Sequence, residues 1–145
     1  VLEGFHRRAI VHLAFSPHGD MLASVGGDKY HSLAIYNWKY NQIISYTLTF
    51  SPKSFFIGFN PTGSSLIQCG HEIIRFWEID GMNLRYLDAL FTTRSKMQPF
   101  LCAGWIGSHP VVGTADGSDV GIVVGNDEGT LVGIEEGIAL GHAVG

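Results

Sequence analysis

Residues Phe15–Gly26 read FSPHGDMLASVG, and residues Phe59–Gly70 read FNPTGSSLIQCG. Phe, Pro, Gly, Leu and Gly stand at the same five offsets in both stretches, 44 residues apart. The flanking residues repeat as well. Val11–Phe15 (VHLAF) alternates in the period-2 manner of a strand. Ser16-Pro17-His18-Gly19 supplies turn chemistry, because Pro presets φ and Gly accepts a positive φ. Met21–Val25 reads as a second strand, Gly26-Gly27-Asp28 as a second turn, Ser32–Trp38 as a third strand and Ile43–Thr49 as a fourth. The second copy runs Ser54–Phe59, Ser65–Cys69, Ile73–Ile79 and Leu84–Phe91. Its third strand matches at an offset of 41, so the first copy carries three extra residues in the turn after Gly26, where insertions are tolerated.

Four short strands per unit of about 44 residues, with glycine-bearing turns between them, is the period of a β-propeller blade. A single four-stranded sheet cannot cover both of its faces, which is why the unit has to recur. A β-sandwich also has short strands at such spacing, but it gives no reason for one signature to return at a fixed period. The expected fold is therefore all-β, a propeller segment of about three blades: residues 5–50, 54–91 and 99–140, the last atypical from 113 to 145.

Composition narrows the class. The 145 residues are 46% hydrophobic and 15% charged, with a net charge of −4. That is too apolar for a disordered segment. The nine Lys and Arg residues are scattered and give no nucleic-acid footprint. Two cysteines, Cys69 and Cys102, do not make a disulfide framework and suit a reducing compartment. No apolar run approaches the roughly 18 residues of a membrane helix. The opening VLEGFHRRAI has the wrong order of charge and apolar residues for a secretory signal. It also lacks an initiator Met, and the chain is expected to be part of something longer.

The blade pattern resembles WD40 repeats. His6, Ser24 and Asp28 match three positions of that repeat in the first copy, and Tyr36 stands where its Trp is expected. The resemblance implies a buried polar chain in which His links Asp and Ser, useful only if every member is satisfied. The second copy keeps Trp77 but has Gln68 at the Ser position, Glu72 near the Asp position and no matching His. A narrower resemblance is to the echinoderm microtubule-associated protein-like family. It rests on Asp28-Lys29-Tyr30-His31-Ser32 before Tyr36-Asn37-Trp38, on Cys69-Gly70-His71 with Phe76-Trp77, and on FTTRSKMQPFLCAGW leading into Pro99–Cys102. It covers roughly residues 3 to 110. It implies tubulin or microtubules and other proteins as partners, and a cytoplasmic, cytoskeletal location.

The third copy departs from the pattern. Trp105 to Gly113 spans eight positions, where the Phe-to-Gly stretch of the other copies spans eleven. Two similar turns follow, VVGTADG at 111–117 and VVGNDEG at 123–129, and from Gly113 a glycine recurs every fourth residue to Gly145. A membrane GxxxG reading fails on the interspersed carboxylates, and an EF-hand fails on its third, fifth and twelfth positions. The expectation is a blade with one duplicated or inserted turn, weakly ordered from about 113 to 122, with Gly141-His142 opening a further blade.

Nothing in the sequence asks for catalysis. There is no G-x-S-x-G, Walker A or G-x-G-x-x-G motif. The histidines at 6, 12, 18, 31, 71, 109 and 142 have no metal-ligand spacing, and His6 and His31 read as structural. Cys69 and the tryptophans 38, 77 and 105 read as core. Arg7, Arg8, Lys29 and Lys39 form either a small basic patch or solvated loops. The expectation is a non-catalytic interaction scaffold without catalytic, metal or cofactor residues and without nucleic-acid, membrane or small-molecule partners. The alternatives are an enzyme built on a propeller and a WD40 adaptor unrelated to the cytoskeleton.

Overall fold

A computed structural model describes residues 2, 5–89, 98–115, 120–125 and 131–135. The first repeat forms β1 (Ile10–Phe15), β2 (Met21–Gly26), β3 (Leu33–Asn37) and β4 (Gln42–Thr47). The second forms β5 (Ser54–Phe59), β6 (Ser65–Gly70), β7 (Ile73–Asp80) and β8 (Asn83–Asp88). The third forms β9 (Phe100–Ile106), β10 (His109–Thr114), β11 (Val120–Gly125) and β12 (Leu131–Glu135). Each set is one antiparallel sheet with its strands in chain order. This is the meander of a propeller blade.

The opening motif makes the hairpin between the first two strands. Gly19 and Gly63 take φ of +67° and +77°, and each amide donates to the carbonyl three residues back, on Ser16 and Asn60. Ser16 Oγ accepts from the Met21 amide at 2.9 Å, and Asn60 Oδ1 accepts from the Ser65 amide at 3.1 Å. Two different side chains thus close the same turn. Register repeats too: Phe15 faces Leu22 and Leu22 faces Tyr36, as Phe59 faces Leu66 and Leu66 faces Trp77. Even the β-bulges coincide, between Ile10 and His12 and between Ser54 and Phe56. The motif's closing glycine is required by close approach, since a Cβ on Gly26 would sit 2.5 Å from His6 Nδ1.

The blades bury their faces against one another. Ala23, Val25, Leu33 and Ile35 of the first pack on Ile57, Phe59, Leu66 and Trp77 of the second. Ile67, Cys69 and Ile74, on the other face of the second blade, pack on Phe100 and Val112 of the third. Each fully buried aliphatic or aromatic side chain contributes about 1.5–3 kcal/mol, so these two seams hold the stack together.

Several expectations need correction. Ser32 precedes β3, which ends at Asn37, and Trp38 opens a 3₁₀ turn (Trp38–Tyr40). Trp38 is exposed, its Nε1 donating to the Gly19 carbonyl at 2.9 Å, so it ties two turns together instead of filling a core. Trp77 is buried, and Trp105 packs half-buried against the second seam. β4 stops at Thr47 and β8 at Asp88; residues 90–97 lie outside those described.

The third blade was expected to carry one duplicated or inserted turn; the connections concerned, 116–119 and 126–130, lie outside the described residues. VVGTADG begins in β10 and VVGNDEG in β11, and β9 to β12 pair antiparallel in chain order. The missing three residues are in the first hairpin, where Gly107-Ser108 replaces the five-residue turns 16–20 and 60–64. Residues 113–114 and 120–122 are strand; of the stretch expected to be weakly ordered, 116–119 lie outside the described residues, as do 136–145 with Gly141-His142. In the ladder Gly113 faces Val120, Gly121 faces Val112 and Gly133 faces Val124, so each of these glycines stands opposite a valine.

Candidate functional site

The segment preceding β1 brings His6 against the first blade. Its Nε2 lies 2.6 Å from Ser24 Oγ on β2, and its Nδ1 lies 3.0 Å from Ser32 Oγ. Ser32 in turn gives its hydroxyl proton to Asp28. That donation leaves Ser32 Oγ as an acceptor, so neutral His6 carries its proton on Nδ1 and Ser24 donates to Nε2. His6, Ser24 and Asp28 are therefore brought together with Ser32 as the intermediary between the His and the Asp. Ser32 stands in the Asp28–Ser32 stretch of the sequence, which was the available signal for it. Tyr36 is buried on β3 across from Leu22.

Burial holds the His6 imidazole below its ordinary value, against an opposing pull from Asp28. Burial pushes the Asp28 carboxyl upward, but hydrogen bonds from the Ser32 hydroxyl and the Tyr30 and Ser32 amides outweigh it and leave it lowered. Asp28 is thus an anion already consumed by its neighbours.

The second blade solves the same problem with other residues. Trp77 Nε1 donates to Gln68 Oε1 at 2.9 Å, and Gln68 Nε2 donates to Ser51 Oγ at 3.1 Å. Ser51 and Thr49 hydroxyls are 2.8 Å apart, and Thr49 Oγ1 donates to the carbonyls of Tyr30 and His31 at 3.0 and 2.9 Å. The relay runs in one direction, contains no titratable group, and crosses from the second blade to a turn of the first. Beside it, buried Arg75 donates to the Thr49 carbonyl at 2.6 Å and grips Asp88 with Nε and Nη2, its guanidinium 4.1 Å from the Tyr86 ring centroid. Sequence reading missed Thr49, Ser51 and Arg75, since serine or threonine in a linker and a lone arginine in a strand carry no spacing signal. Glu72, placed near the Asp position, is exposed and joins neither chain.

A Ser–His–Asp set invites comparison with a hydrolase triad. Ser24 is buried, so its Oγ is closed to a substrate carbonyl, and the His meets a serine where a triad has its carboxylate. Burial pushes the Cys69 thiol up to about 12, with Cys102 acting in the same direction, so Cys69 is an unreactive core residue. Among the described residues no group of three His, Cys, Asp or Glu side chains is placed to hold a metal ion. Among them, too, no helix is long and apolar enough to cross a membrane.

Exposed functional groups divide between two rims. The turns after β2 and β6 and the linkers entering β1 and β5 share one end of the blades, joined by Gly27 N to Ala9 O at 2.7 Å, Phe50 N to Tyr30 O at 3.1 Å and His71 N to Lys53 O at 2.9 Å. The hairpin turns after β1, β3, β5 and β7 form the opposite rim. Arg7, Arg8 and Lys29 belong to the linker rim, but Lys39 follows β3 and lies a strand length away, about 16 Å. The four-residue basic patch is not assembled, and Lys53 takes the place expected for Lys39.

No protein-family model matches the chain. Among curated proteins it is 28% identical to "Echinoderm microtubule-associated protein-like 1" of Homo sapiens over 102 residues, which is 68% of this chain and 12% of that protein. It is 29% identical to "Echinoderm microtubule-associated protein-like 2" of Rattus norvegicus over 119 residues, 79% of this chain and 18% of that protein. "Cilia- and flagella-associated protein 44" of Mus musculus is 34% identical over 80 residues, 54% of this chain and 4% of that protein. The chain thus spans less than a fifth of the length of these relatives. Of solved structures, the Myceliophteria thermophila Cps50 (Swd1) β-propeller domain superposes with a TM-score of 0.71 at 14% identity, covering 95% of this chain and 45% of that one. Fold and relatives together identify the chain as a stretch of β-propeller similar to the echinoderm microtubule-associated protein-like proteins.

Proposed function

We propose that this chain is part of a non-catalytic protein-interaction scaffold that associates with microtubules or tubulin in the cytoplasmic cytoskeleton. The observation that carries the reading is the similarity to the two microtubule-associated protein-like relatives over 68% and 79% of the chain. The blade chemistry supports the scaffold part, because the histidine and serine that resemble a reactive pair are spent inside a blade. His6, Ser24, Asp28, Tyr36 and Trp77 are accordingly read as structural WD40 positions. Similarity to a cilia- and flagella-associated protein supports a second reading, with the same scaffold working in a cilium or flagellum. The test is co-sedimentation with polymerised microtubules of the whole protein carrying this chain, with and without residues 5–140. Loss of pelleting on deletion supports the assignment; undiminished pelleting removes it from this region.

A further inference from the structure

The linker rim between the first two blades concentrates three features. The first is backbone strain. Among the described residues four non-glycines have positive φ, and three of them, His31 (47°), Phe50 (48°) and Glu72 (58°), lie on this rim. Bulky side chains adopt that conformation only when the surroundings enforce it, and such strain collects at binding sites.

The second is what the strain presents. Phe50 is 69% exposed, and its ring packs 5.1 Å from that of Tyr30, which is also exposed. The third is charge. Lys29 sits 5.6 Å from the Tyr30 ring centroid, Lys53 follows on the same linker, and exposed Arg7 and Arg8 adjoin Gly27 through Ala9. Among the described residues the carboxylates on this rim are already engaged, Asp28 by Ser32 and Asp88 by Arg75, except for Glu72. In a chain of net charge −4 this is a local reversal of sign. A buried ring nitrogen, His31 Nδ1, is also without a hydrogen-bond partner here.

We infer that the Tyr30–Phe50 pair and its flanking Lys29, Lys53, Arg7 and Arg8 form a docking surface for an extended acidic polypeptide segment. The aromatic pair supplies apolar contact area at low entropic cost, and the cations hold carboxylates on either side. A peptide fits better than a polyphosphate because there is no run of cations at phosphate spacing and the centre of the surface is aromatic. The inference rests on the scaffold reading but not on its microtubule part. Intact co-sedimentation with no acidic-peptide binding removes this surface alone.

The test is fluorescence anisotropy of the full 145-residue chain with a fluorescein-labelled Glu-rich peptide, a Gln-rich peptide of equal length, a single-stranded oligonucleotide and phosphatidylserine vesicles. The Glu-rich peptide is expected to bind, with affinity falling as salt rises. Reversal of both lysines (K29E with K53E) is expected to weaken it about tenfold or more. Phe50→Gly, which relieves the backbone while removing the ring, is expected to weaken binding yet leave the thermal midpoint unchanged or raised. Lys39→Glu on the opposite rim is expected to leave binding unchanged. Equal binding of the Gln-rich peptide, an equal effect of Lys39→Glu, or tighter binding of the oligonucleotide or vesicles overturns the proposal.

Discussion

Leu13 and Phe15 of the first blade occupy the same register positions as Ile57 and Phe59 of the second. Leu13 and Phe15 are 59% and 60% exposed, whereas Ile57 is 3% and Phe59 8% exposed. The first two strands of each blade, their bulge and the hairpin turn between them agree, and the difference is that the first blade packs against the face holding Ile57 and Phe59. Local sequence therefore makes a blade, and a neighbouring blade makes its core. The same pair of blades differs in polar wiring as well. One uses a His–Ser–Asp set that titrates, and the other a Trp–Gln–Ser–Thr relay that does not.

The largest expected effect separates the two faces. Ile57→Ala is expected to destabilise the chain by about 2–5 kcal/mol through a cavity at the seam. Leu13→Ala, already solvated, is expected to change stability by less than about 1 kcal/mol. Urea denaturation of both variants measures the contrast. Equal losses would show that Leu13 is covered in solution and would erase the distinction.

A smaller effect belongs to the relay. Gln68→Leu leaves the Trp77 indole N–H without its acceptor and removes one donor from Ser51 Oγ, which keeps Thr49, an expected loss of about 1–3 kcal/mol. Combining it with Trp77→Phe in a double-mutant cycle tests the connection. Purely additive losses would mean that the two side chains act independently.

The smallest effect is in pH dependence, and it belongs to the first blade. The folded His6 pKa lies below its ordinary 6.5, so the folded state favours the neutral ring. Its contribution is present above pH 6.5 and is lost as pH falls through the lowered folded value. Asp28, also lowered, contributes above its ordinary 3.8 and loses that contribution only at still lower pH. His6→Gln is expected to flatten the stability profile just below pH 6.5 and leave the more acidic limb in place. A wild-type profile flat through that window would contradict the assigned protonation of His6.

The blade architecture was legible in particular residues. Pro17, Gly19, Pro61 and Gly63 marked the hairpins, and the 44-residue echo marked the stacking unit. The third blade was harder to read, because a first turn three residues shorter shifted the phase of its repeat. Trp38 misled for a similar reason. Its strand ends one residue earlier, so an aromatic at a core-like spacing faces a turn carbonyl. In the candidate site, Asp28 and His6 were visible as types at expected positions. Thr49 and Ser51 were not, because linker hydroxyls are common and only their placement beneath Gln68 gives them a role.

The sequence by itself determined the repeat, the period-2 strands and the glycine turns, because those depend on φ preferences and on which side chains alternate within a few residues. Only the tertiary structure decided which of two equivalent apolar faces is buried, which charges share a rim, and which polar groups complete one another. Those outcomes depend on contacts between residues tens of positions apart, such as Gln68 with Ser51 and Arg75 with Thr49, and local patterning does not encode such distances.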